Sequence, residues 1–146
     1  MKLSAKIKAL AEKFPPKITL TVVADYTSND VTSLSAFETD STPHLIMSDS
    51  LSPKDLSDAL EPFSHKSIGD KEGLIVVLDT AFSEDDSYGL LSEVVCHRTF
   101  ENNVLGANVD VIIVMQNKAY ESNVPTHVLN RVIHIPENTL KVLNCL

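Results

Sequence analysis

The run Leu74-Ile75-Val76-Val77-Leu78-Asp79 constrains this chain more than any other stretch. Five apolar residues follow one another without alternation, and three of them are β-branched. A strand with one solvated face would alternate apolar and polar residues. An unbroken run is instead what a strand buried on both faces requires, and in a chain of 146 residues that means the centre of a parallel sheet. The run ends on a carboxylate. Asp79 therefore stands at the carboxyl end of the strand, where open α/β sheets hold their ligands.

Four further strands are predicted around it, at Ile18–Val23, His44–Met47, Val109–Met115 and Val132–Ile135. Helical patterns fall between them. Leu3, Ile7, Leu10, Ala11 and Phe14 recur at helical spacing before Pro15 and Pro16 stop the helix. A short helix is expected over Val31–Phe37 with Asn29 or Asp30 as its cap. Ser52 caps another that opens on Pro53 and runs to Leu60. Ser64–Gly73 reads as polar and irregular. A helix beginning at Ser83-Glu84-Asp85-Asp86 continues through Val95, and shorter ones cover Thr126–Asn130 and Glu137–Leu143. Strands alternating with helices imply one α/β domain over residues 1–146, a three-layer sandwich around a five-stranded, mainly parallel sheet.

Charge narrows the choice of partners. With 12 Lys and Arg against 20 Asp and Glu, the formal charge is −8, and no run of basic residues interrupts it. Nucleic acid and anionic membrane are therefore not expected as partners. Two cysteines are too few for a disulfide framework, which suits a cytoplasmic setting, and Cys96 falls in an apolar helical pattern. The lysine-bearing first helix is not expected to be a signal peptide, because Lys6, Lys8, Glu12 and Lys13 interrupt its apolar positions. The five histidines show no metal-ligand spacing.

From Gly73 onward the order of landmarks resembles an AAA+ ATPase core, most closely the MoxR-like branch. Leu74–Asp79 resembles its Walker B strand. Leu90-Leu91-Ser92-Glu93-Val94-Val95 followed by Arg98 resembles the next helix. Val109–Asn117 is similar to the strand that ends on a sensor asparagine. Pro125-Thr126-His127-Val128-Leu129-Asn130-Arg131 resembles the segment whose arginine acts across a subunit boundary, and Pro53-Lys54-Asp55-Leu56 is similar to a further stretch of the family. The resemblance implies a P-loop-NTPase-like sheet with strands ordered 5-1-4-3-2. It also implies that Asp79 corresponds to the Mg²⁺-contacting aspartate, Asn117 to the sensor and Arg131 to the arginine acting in trans.

The chain departs from that family at the catalytic positions. A P-loop needs glycines so that backbone N–H groups can wrap phosphates, together with a lysine and a hydroxyl. The corresponding turn, Ala24–Asp30, has neither glycine nor lysine and carries Asp25 and Asp30, which would repel a triphosphate. The general-base glutamate expected after Asp79 is Thr80. A general base contributes about 10²–10⁴-fold to rate, so hydrolysis is not expected. Nucleotide binding and any other cofactor are not expected either. The expected function is that of an inactive AAA+-like protein working through contact with a protein partner, either an intact AAA+ ATPase or itself.

A rival reading rests on carboxylates alone. Asp25, Asp49 and Asp79 each lie at or just beyond the end of a predicted strand. If they converged, three hard oxygen ligands could hold Mg²⁺ for phosphoryl hydrolysis or nuclease chemistry. Aspartate also favours strand-to-loop turns for purely local reasons. A phospho-receiver domain would need paired acids after the first strand and a lysine after the fifth. Here Asp25 stands alone and Pro136 follows Ile135.

Overall fold

The computed structural model describes residues 3–34, 42–82, 88–116 and 124–135. The apolar run Leu74–Leu78 lies in strand β3 (Gly73–Leu78), and every one of the strand's six residues is buried. Its parallel neighbours are β2 (His44–Met47) on one side and β6 (Val109–Met115) on the other. β6 then pairs with β1 (Leu20–Val23), and β1 with β7 (Ile133–Ile135), both parallel. The sheet order is β2-β3-β6-β1-β7. The most apolar strands thus sit inside, and β2 and β7 form the edges.

Alternation along each strand divides the core into two layers. Ile75 and Val77 of β3, with Val111 and Ile113 of β6, pack toward α3 (Pro53–Leu60), α5 (Tyr88–His97) and α6 (Thr126–Leu129). Leu74, Val76 and Leu78, with Ile112 and Val114, pack instead toward Leu3, Ile7 and Leu10 of α1 (Leu3–Lys13). Helices on both faces of a parallel sheet follow from strands that are apolar on both faces. Among the described residues no helix is long and apolar enough to cross a membrane.

The structure moves several local boundaries. β1 begins at Leu20 rather than Ile18. The following helix, α2 (Ser28–Ser33), starts earlier than expected, because Thr27 is the cap instead of Asn29 or Asp30. Thr27 and Asp30 satisfy each other's backbone donors in a capping box, with Thr27 N–H donating to the Asp30 carboxylate at 2.8 Å. The segment expected to be irregular contains α4 (His65–Ile68).

A separate antiparallel hairpin, β4 (Thr99–Phe100) and β5 (Asn103–Val104), was not expected. Its two turn residues, Glu101 and Asn102, both have positive φ, as a two-residue turn matching strand twist demands. The sequence signal is faint because neither residue is glycine. α5 begins at Tyr88 among the described residues; its expected start at Ser83 and the helix expected over Glu137–Leu143 lie outside them.

Candidate functional site

All five main-sheet strands are parallel, so their carboxyl ends share one edge, and the sequence-predicted site residues divide between that edge and the opposite one. β3 ends in a 3-10 turn, Asp79–Ala81, which folds Asp79 back over the sheet. Its side chain is 8% exposed. One carboxylate oxygen accepts a hydrogen bond from the Tyr26 hydroxyl. The other accepts from the backbone N–H of Gln116 at 3.3 Å. Tyr26 follows β1 and Gln116 follows β6, so one carboxylate ties together the ends of the three central strands. The Ala24 N–H, donating to the Met115 carbonyl at 2.9 Å, holds the same two ends in register.

Buried carboxylates require donors, since burial removes the hydration that stabilises their charge. Asp79 finds them entirely within the chain. The phenol responds to the arrangement. Burial first, then the hydrogen bond to Asp79 and the charge of that carboxylate, push the Tyr26 hydroxyl well above the ordinary tyrosine range, with Thr80 opposing weakly. Thr80 is exposed, and its hydroxyl donates to the Ser48 carbonyl beyond β2. The residue standing where a general-base glutamate was sought therefore fastens two loops.

The other candidates do not join this cluster. Asp25 and Asp49 are exposed, and Asp30 is committed to the cap of α2. Asn117 lies outside the described residues. The carboxylate triad of Asp25, Asp49 and Asp79 is not assembled. β6 separates β1 from β3, and Asp79 is turned into the Tyr26 and Gln116 contacts. Among the described residues no three His, Cys, Asp or Glu side chains come together as a metal site. Arg131 is exposed and precedes β7, at the amino edge of the sheet. It stands at the opposite end of the strands from Asp79. Cys96 packs partly against the core, as its helical pattern implied. Burial raises its thiol pKa, and the nearby Arg131 charge opposes the shift.

Tyr26 and Gln116 are the partners of Asp79 that sequence reasoning missed. The available signal was an aromatic residue three positions beyond a buried strand, which does not by itself name a partner. Three cavities lie away from Asp79. One, of about 520 Å³, is lined by Lys8, Glu12, His44, Glu72 and Asp110 beside β2 and β3. Asp110 is held there in a half-buried position. Burial pushes its carboxyl up to about 6, Glu72 adds to the shift, and the Arg98 charge works against it. No protein-family model matches the chain, and none of the curated proteins matches it.

Proposed function

We propose that this chain is a P-loop-NTPase-like domain without a working nucleotide site, acting by contact as a regulatory, inhibitory or assembly module. Its partner is an intact AAA+ ATPase or another copy of itself. The observation that carries this reading is the Tyr26–Asp79–Gln116 cluster. In an ATPase of this architecture the aspartate after the central strand must present oxygen toward Mg²⁺ and its water shell. Here both oxygens are consumed by internal donors, and the turn after β1 supplies a tyrosine where glycines would expose backbone N–H groups.

Two further features support the reading. Numbering the main-sheet strands in chain order gives 5-1-4-3-2 from β7 to β2, the order the family resemblance implies. Arg131 is exposed at the far edge, free to meet a neighbouring subunit. Mass action links binding to stability, so a saturable, Mg²⁺-dependent rise in melting temperature with ATP would overturn the inactive assignment. Light scattering after size exclusion, followed by a pull-down from the native host with wild type and Arg131→Ala, tests the contact role. A strict monomer that retains no partner would refute it. A complex insensitive to Arg131→Ala would keep the module but discard the arginine face.

A further inference from the structure

The amino edge of the sheet carries a feature that runs against the charge of the whole chain. A cleft of about 640 Å³ lies between α4, the end of α5 and the β4–β5 hairpin. It adjoins a second of about 410 Å³, the two sharing Lys17, His97 and Arg98. His65 and Lys66 complete the first, and Arg131 completes the second. No carboxylate lines either cavity among the described residues. In a chain with formal charge −8, such segregation is unexpected. Arg98 is balanced in part by Asp110, whose charge reaches it but which lines the separate cavity beside β3.

These residues lie far apart in sequence and gather only on folding. Lys17 precedes β1, Lys66 sits in α4, Arg98 follows α5 and Arg131 precedes β7. Lys17, Lys66 and Arg131 are exposed, and none makes an ion pair with another described residue. Arg98 organises the cleft from within. It adopts a left-handed backbone, φ 58°, a conformation that favours glycine. Its guanidinium donates to the Gly106 carbonyl at 2.9 Å and to the Pro16 carbonyl. Two of the five guanidinium donors are used in this way. Its apolar lining includes Leu105, which is buried, and Val104, which is 58% exposed.

We infer that this cleft binds a small anion carrying two or more negative charges, of the phosphate or carboxylate class, alongside a modest apolar body. Concave sites of roughly 300–1,000 Å³ suit small molecules, and the cleft falls within that range. Clustered cations with few counter-charges nearby repel one another, and a bound anion relieves that repulsion. Arginine and lysine together match oxyanions by fork and by point charge. Exposed Val104 gives the ligand's apolar part a place to pack. A small ligand is favoured over a polyanion such as nucleic acid or an acidic protein surface, because the negative field of the whole molecule repels an approaching partner in proportion to its charge. This site is distinct from the carboxyl edge and does not depend on the contact role proposed above.

The test uses the full chain, with pyrophosphate and citrate as separate probes and sodium chloride at matched ionic strength as control. Calorimetry and thermal melts should show saturable binding by at least one probe and none from chloride. Preference between the two distinguishes phosphate from carboxylate chemistry. Lys17→Glu with Lys66→Glu should weaken binding at least about tenfold, the scale of a lost charge-assisted contact. Lys17→Ala with Lys66→Ala provides a milder pair should charge reversal disturb folding, which circular dichroism checks. Lys54→Glu, an exposed change on α3, should leave binding within about twofold of wild type. The inference is overturned if neither probe saturates, if Lys54→Glu weakens binding as much as the cleft pair does, or if a hexaglutamate peptide displaces the small anions with higher affinity.

Discussion

Tyr26 and Asp79, 53 residues apart, meet in a hydrogen bond in which the phenol donates to the carboxylate. The contact closes the space between the ends of β1 and β3, across the intervening end of β6. Together with the Gln116 N–H, it leaves neither oxygen of Asp79 without a donor.

Tyr26→Phe tests that closure. A hydrogen bond to a charged group contributes about 1.5–3 kcal/mol, and removing one donor from a buried carboxylate costs more than removing both partners. Because Tyr26 is only part-buried, the lower end applies, near 1.5 kcal/mol, or a fall in melting temperature of roughly 5 °C for a domain of this size. The pH dependence carries a second signature. The folded state holds the phenol proton above its ordinary range, while the unfolded chain releases it near pH 10. The stabilisation is therefore complete below about pH 10 and is lost as pH rises toward the folded value. Wild type should lose stability above pH 10 more steeply than Tyr26→Phe, and one phenol should titrate late by phenolate absorbance. Equal alkaline slopes for the two proteins would contradict the closure.

Asp110 gives a prediction at the other end of the pH scale. Its folded carboxyl titrates at about 6, against roughly 3.9 for an unperturbed aspartate. Burial outweighs the favourable Arg98 charge, so the folded state prefers the protonated form. Between about pH 4 and 6 the unfolded chain has released this proton while the folded chain keeps it, and stability falls as pH rises through that window. Asp110→Asn should flatten this part of the stability profile and melt higher than wild type at pH 7. Melts from pH 4 to 7 decide it. A variant less stable at pH 7 would mean that Asp110 acts chiefly by pairing with Arg98.

The scaffold was legible where physics acts locally. Leu74–Leu78 and Val109–Met115 declare themselves because long β-branched runs have few alternatives to a buried strand. Ser52-Pro53 declares a helix start because cap and fixed φ coincide. Thr27 was missed although its partner Asp30 stood three residues on, because Asn29 and Asp30 are themselves good caps. The Glu101-Asn102 turn lacked the glycine that marks most turns of its kind. At the site, Asp79 could be placed at a strand end but its partners could not be named, since the 53-residue separation from Tyr26 leaves no local trace. The basic cleft was invisible for the same reason. Lys17, Lys66, Arg98 and Arg131 form no run, and only the strand order brings them to one edge.

Gly106 supplies the last prediction, because it is packed against the same cleft that Arg98 organises. Its N–H donates to the Phe63 carbonyl at 2.9 Å, and its carbonyl accepts from Arg98. A Cβ added there would stand 2.4 Å from the Cγ2 methyl of Ile68 and 3.2 Å from the Gly69 carbonyl oxygen. Overpacking of this kind costs about 1–3 kcal/mol, and the methyl attached directly to a Cβ cannot swing away without turning the whole side chain. Gly73 offers a contrast on the same wall. Its added Cβ would meet the Cδ1 end of Ile68 at 2.9 Å, and that end can change rotamer. Gly106→Ala should therefore destabilise more than Gly73→Ala by at least ~1 kcal/mol in denaturant melts. Ile68→Ala, itself costing about 2–5 kcal/mol, removes the obstructing methyl. In that background the cost of Gly106→Ala should shrink by about 1 kcal/mol or more, the size of coupling expected between touching residues. An unchanged cost in both backgrounds would show that Ile68 is not what excludes a side chain at position 106, leaving the Gly69 carbonyl and the Val109 Cγ2 methyl, both at 3.2 Å, as the wall.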